Sequence, residues 1–146
     1  MNPTISIQAV RAIEDAHGIS LPSDYVRFIT EFGDGCKFKA LYYNRKVEVQ
    51  IRSIYECNLS YITLPFPLIE SGSVEEDMAN HGNICFFDVH YLNLPGNRFI
   101  HQSFHLITSG KYKGEVWCHL DNKMLDVMHL PFHRWFNLYV KDQCVI

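Results

Sequence analysis

The stretch Leu21-Pro22-Ser23-Asp24-Tyr25-Val26-Arg27-Phe28-Ile29-Thr30-Glu31-Phe32-Gly33-Asp34-Gly35 reads as a short helix with a signal at each end. Ser20 is a candidate N-cap, Pro22 sits in the first turn, and Asp24 places a negative charge near the positive end of the helix dipole. Tyr25, Phe28, Ile29 and Phe32 recur at helical spacing, so they form one apolar face built to dock on something larger. Gly33 and Gly35 end the helix. A helix this short needs tertiary packing to be stable.

Working outward, Ser6 to His17 predicts a first helix, capped by Ser6 and ended by Gly18, with Ile7, Val10 and Ile13, joined by Ala9 and Ala16, as its apolar stripe. Downstream the period changes from helical to alternating. Phe38, Leu41 and Tyr43 lead into Asn44-Arg45, and Val47, Val49 and Ile51 alternate with polar residues, which predicts a hairpin. Further strands are expected over Ile84 to Phe87, Phe99 to Thr108 and Val116 to Leu120, with a turn over Lys111 to Gly114. Glu75 to His81 reads as a short helix. Phe132 to Lys141, entered at Pro131, reads as a last helix with Phe132, Trp135, Phe136 and Tyr139 on one face. The order predicts a single α+β domain over residues 1–146, a mostly antiparallel sheet with two N-terminal helices and a C-terminal helix packed on it.

Composition supports a folded globule. Of the 146 residues 47% are hydrophobic, 14% aromatic and 20% charged, and a chain of this size buries enough surface to fold without staples. The five cysteines, Cys36, Cys57, Cys85, Cys118 and Cys144, are odd in number, widely spaced and set among apolar neighbours, so they read as free thiols in a reducing, cytoplasmic compartment. Met1 to Ala16 carries Arg11, Glu14 and Asp15 where a signal peptide needs an apolar run, and Tyr61 to Ile69 is too short to span a bilayer. No membrane is expected as a partner. The net charge of −3 disfavours a direct nucleic-acid surface. Its distribution is more informative. Between Arg52 and Arg98 there is no Lys or Arg, while Glu56, Glu70, Glu75, Glu76, Asp77 and Asp88 are all acidic.

Motifs that carry chemistry are sparse. His101/His105 and His129/His133 each have H-x-x-x-H spacing, which brings two rings together only on a helix. The first pair falls on an expected strand, where residues four apart stand roughly 13 Å from each other. The second pair brackets Pro131. No C-x-x-C, H-E-x-x-H or G-x-S-x-G occurs, and Gly33-Asp34-Gly35 lacks the Gly-Lys-Ser/Thr of a phosphate loop. Glu75, Glu76 and Asp77 read either as paired carboxylates or as a solvated face. Trp117, Trp135 and the last aromatic stripe read as a ligand box or, in keeping with their spacing, as core. No catalytic residue, metal or cofactor is expected, and the chain reads as a binding protein rather than an enzyme.

The run from Leu21 to Gly35 also resembles the opening signature of the SUKH superfamily, the Smi/Knr-type proteins, with Glu14, Gly18, Leu21, Pro22, Tyr25, Phe28, Phe32 and Gly35 in the corresponding positions. His81-Gly82-Asn83-Ile84, Gly114-Glu115-Val116-Trp117 with Asp121, and Phe132-x-x-Trp135-x-x-x-Tyr139 are similar to its later elements in order. The resemblance implies an α+β domain that binds proteins. Short stand-alone bacterial members look like immunity proteins that neutralise a cognate toxin, often a nuclease, by direct contact. The alternative within the same fold is a non-catalytic intracellular scaffold. The acidic segment from Pro67 to Gly82 departs from the family pattern, so no site residue is carried over from it. A toxin acting on nucleic acid carries a basic surface, so the partner is expected on the acidic residues Glu70, Glu75, Glu76 and Asp77. The aromatic and histidine-rich strands from Phe86 to His105 stand as the fallback surface. The protein itself is expected to be a monomer or a homodimer.

Overall fold

A computed structural model of the chain describes residues 1–42, 45–67, 73–75, 81–91, 101–120 and 124–141. Helix α1 spans Ile7–His17, and the Ser6 side chain accepts from the Ala9 N–H at its start. Gly18 ends it in the left-handed conformation. Helix α2 spans Ser23–Glu31. Its N-cap is Pro22, not Ser20, and no side chain caps it. Proline presets the entry dihedral and has no N–H to satisfy.

Among the described residues seven strands follow: β1 Cys36–Tyr42, β2 Arg45–Ile51, β3 Ser73–Glu75, β4 Asn83–Tyr91, β5 His101–Ile107, β6 Glu115–Leu120 and β7 Met124–Pro131. They form one sheet in the order β1-β2-β4-β5-β6-β7-β3, antiparallel at every pairing. The chain leaves β2, crosses to the far edge to lay β3 beside β7, and returns to set β4 beside β2. The last helix, α3, spans Phe132–Phe136 and continues as a π-helical segment, Asn137–Lys141. The architecture is the α+β class expected, with the helices over one face of the sheet.

That face is the core. Val10, Tyr25, Phe28 and Ile29 of the helices meet Val47, Val49, Ile51, Ile84, Val89, Phe104, Leu106 and Val116 of the sheet. Trp135 is wholly buried, with its ring 4.9 Å from Phe86, 4.9 Å from Phe87 and 5.3 Å from Phe104. A register shift between Cys85 and Phe87 explains how consecutive residues Phe86 and Phe87 can both be buried. The extra residue of a bulge breaks the in–out alternation.

Ile7 and Phe32, assigned to the apolar faces of their helices, are 42% and 58% exposed. Glu14, by contrast, lies within the α1 face that packs inward. It is buried because its carboxylate accepts from the Leu21 N–H at 2.7 Å and from Arg11 at 2.6 Å, which ties α1 to the entrance of α2. Glu75 belongs to a strand, paired with Met124, and His81-Gly82 is a turn; the helix expected between them falls on residues 76–80, which lie outside the described residues. The turn after α2 is pinned from below. Gly35 has φ of +96°, and a Cβ there would stand 2.7 Å from the Ser53 N and 2.8 Å from the Ile51 O. Asp34 beside it is buried, accepts from the Ser53 hydroxyl, and accepts from the Ile54 N–H at 2.8 Å.

Candidate protein-docking groove

Helix α2 does not bury its whole apolar face. Four residues separate Phe28 from Phe32, so both rings project from one side of the helix. Phe28 is 5% exposed and Phe32 is 58% exposed. The two rings stack at 6.4 Å with an interplanar angle of 16°, and Phe28 continues to Phe136 at 5.1 Å and Phe132 at 5.6 Å. These aromatics line an open groove between α2 and the last helix, with Ile51, Val140 and Met1 completing the apolar lining and a volume of about 450 Å³. Charged and polar groups edge it. The Asp24 carboxylate meets His133 Nδ1 at 2.6 Å and joins the two helices across 109 residues of sequence. Arg27 Nε donates to Glu31 at 2.9 Å. An apolar floor with a rim of satisfied polar groups is the anatomy of a site that takes an aromatic or aliphatic anchor from a partner.

The acidic residues expected to bind the partner are placed as follows. Glu70, Glu76 and Asp77 lie outside the described residues; Glu75 closes β3, and its side chain lies outside them too. The remaining acids of that stretch are no free patch. Asp88 is 1% exposed and takes Arg52 Nε at 2.6 Å. Glu56 is exposed, but its carboxylate accepts from the Ser53 N–H in a capping box. Of the fallback surface, residues 92–100 lie outside the described residues. Phe86, Phe87, Val89, Phe104 and His105 are all buried, because the pairing of β4 with β5 places both strands inside the sheet.

His129 and His133 separate, one on β7 and the other on α3. His129 Nδ1 contacts Glu115 at 3.1 Å while His133 contacts Asp24, so the pair turns to different carboxylates. Among the described residues no group of three or more His, Cys, Asp and Glu side chains could hold a metal ion. His105 joins a cluster that the sequence did not reveal. Its Nδ1 lies 2.9 Å from Asn83 Oδ1 and its Nε2 3.1 Å from Ser103 Oγ. Since the amide oxygen only accepts, His105 donates from Nδ1. The connectivity is that of a nucleophile–base relay. Ser103 is 3% exposed and His105 6%, so the hydroxyl is closed to a substrate and the cluster serves to brace β4 against β5.

The Cys57 and Cys85 thiols are poor nucleophiles. Burial, then neighbouring Cys85, pushes the Cys57 thiol up to about 12. Burial, then Asp88, pushes Cys85 up to about 12 as well. A thiol at that value stays protonated at neutral pH.

No protein-family model matches the chain, and comparison with curated proteins and with solved structures gives no match. Among the described residues no helix is long and apolar enough to cross a membrane.

Proposed function

We propose that the chain is a non-catalytic, cytoplasmic protein-binding domain of the immunity type, which neutralises a cognate toxin by direct contact. The observation that carries the reading is the open aromatic groove, in which Phe32 presents more than half of its surface to solvent beside a packed aromatic floor. Exposed aromatic anchors set in a preformed apolar groove are the usual centres of binding energy in protein interfaces. The SUKH-like order of motifs and the sealing of the Ser103–His105 pair support a binder over an enzyme.

The test is co-production with the polypeptide encoded beside it. The expected result is rescue of growth together with a stoichiometric complex on size-exclusion chromatography. Phe32→Glu should lose both while the variant still melts cooperatively. Protection that saturates far below one equivalent would indicate turnover and sink the binding mechanism. Rescue undiminished in Phe32→Glu would remove the groove from the interface. A scaffold with the same fold would form no complex with that product at all.

A further inference from the structure

The sheet ends on one side at β1, which is paired with β2 from Cys36↔Ile51 to Tyr42↔Arg45; among the described residues no strand pairs with its outer edge. A seven-residue strand left in this way points alternate N–H and C=O groups outward. Its side chains sort by face. Lys37 and Lys39 are exposed and point away from the helices, whereas Phe38 is half-buried against the core side. The register sets Lys37 opposite Gln50 and Lys39 opposite Glu48, with the exposed Lys46 farther along the same face. The edge therefore offers three ammonium groups against one carboxylate, on a chain whose net charge is −3.

We infer that β1 is a strand-addition site for a partner segment in which acidic and apolar residues alternate. A strand laid against β1 brings its Cβ atoms to about 4.5–5.5 Å from those directly opposite. On one face its acidic side chains meet Lys37 and Lys39. On the other, its apolar side chains extend the cover over Cys36 and Phe38. Main-chain hydrogen bonds hold the segment, and the alternation selects it. A second copy of the chain is a poor occupant, because continuing the sheet about a perpendicular two-fold axis sets lysines beside lysines. Lys37 and Lys39 do not line the groove, so the lysine-dependent binding tested here stands or falls apart from the proposed function.

The test uses the purified chain and capped seven-residue peptides at low salt. One alternates Glu and Val, one has the same composition with the acids grouped at one end, and one alternates Lys and Val. The alternating acidic peptide is expected to bind and to slow amide exchange within residues 36–41. The grouped peptide should bind about tenfold more weakly. The double variant Lys37→Glu with Lys39→Glu, both exposed positions, should lose that binding and prefer the Lys/Val peptide. Equal binding of the two acidic peptides would reduce the effect to charge attraction and overturn strand addition. Failure of the alternating peptide to bind would show that the lysines only guard the edge, and slowed exchange away from β1 would overturn the site.

Discussion

Phe28 and Phe32 sit one helical turn apart on α2, and the fold gives them opposite duties, so truncating each in turn tests the docking of that helix. Phe28 is 5% exposed and its ring lies within 5.1–6.4 Å of Phe136, Phe132 and Phe32. Removing a buried phenylalanine costs about 3–5 kcal/mol through lost transfer energy and the void left behind. The void here opens onto the groove, so water can enter it and the cost falls at the low end, about 3 kcal/mol. For a chain of this length each kcal/mol moves the midpoint by roughly 3 °C, which makes the expected fall for Phe28→Ala about 10 °C. Phe32 is 58% exposed, so Phe32→Ala gives up mainly part of one stacking contact, about 1 kcal/mol or less. Urea titration and thermal melts of the two variants measure the difference directly. Equal losses, or a Phe28→Ala melt indistinguishable from the parent, would refute the docking of α2 and the assignment of Phe32 to the groove. Partner binding should reverse the ranking, with Phe32→Ala losing affinity while its stability is nearly intact.

The thiols give a pH dependence. Cys57 and Cys85 are pushed up to about 12 in the fold, while an unfolded thiol titrates near 8.5. Between those values the unfolded chain has released protons that the folded chain retains, so stability is fully present below about pH 8.5 and falls as pH rises toward about 12; flat denaturant midpoints across that range would contradict it. Arg52→Leu removes the cationic partner of the Asp88 carboxylate, which is 1% exposed, and should destabilise by about 3 kcal/mol. Asp88→Asn should cost less, because Arg52, whose side chain is 32% exposed, can turn to water; urea midpoints in the opposite order would count against the pairing. If the partner also meets the acidic segment, Glu75→Lys, Glu76→Lys and Asp77→Lys combined should slow association about tenfold at low salt, and the parent's on-rate should fall as salt rises. Unchanged stopped-flow kinetics would free that segment of the role.

What could be read from the chain alone was what its local chemistry states. Ser6 and Gly18 bracket α1 at both ends, and Val47, Val49 and Ile51 alternate in β2 because only that hairpin buries them together. β7 escaped because its pattern is broken twice: the register with β6 shifts between Val116 and Cys118, and His129 adopts φ of 49°. β3 escaped because three residues are too few to show a period. The polar face escaped for a deeper reason. Ser103 and His105 alternate with Phe104 and Leu106, the pattern of a strand wet on one side, yet all four are buried. Periodicity reports that a strand has two faces and is silent on whether the polar one is covered. The same blindness, in reverse, hid the groove. Phe28 and Phe32 are one residue type at one helical spacing, and only the position of the last helix, more than 100 residues away in sequence, decides that the first closes the core and the second remains open to a partner.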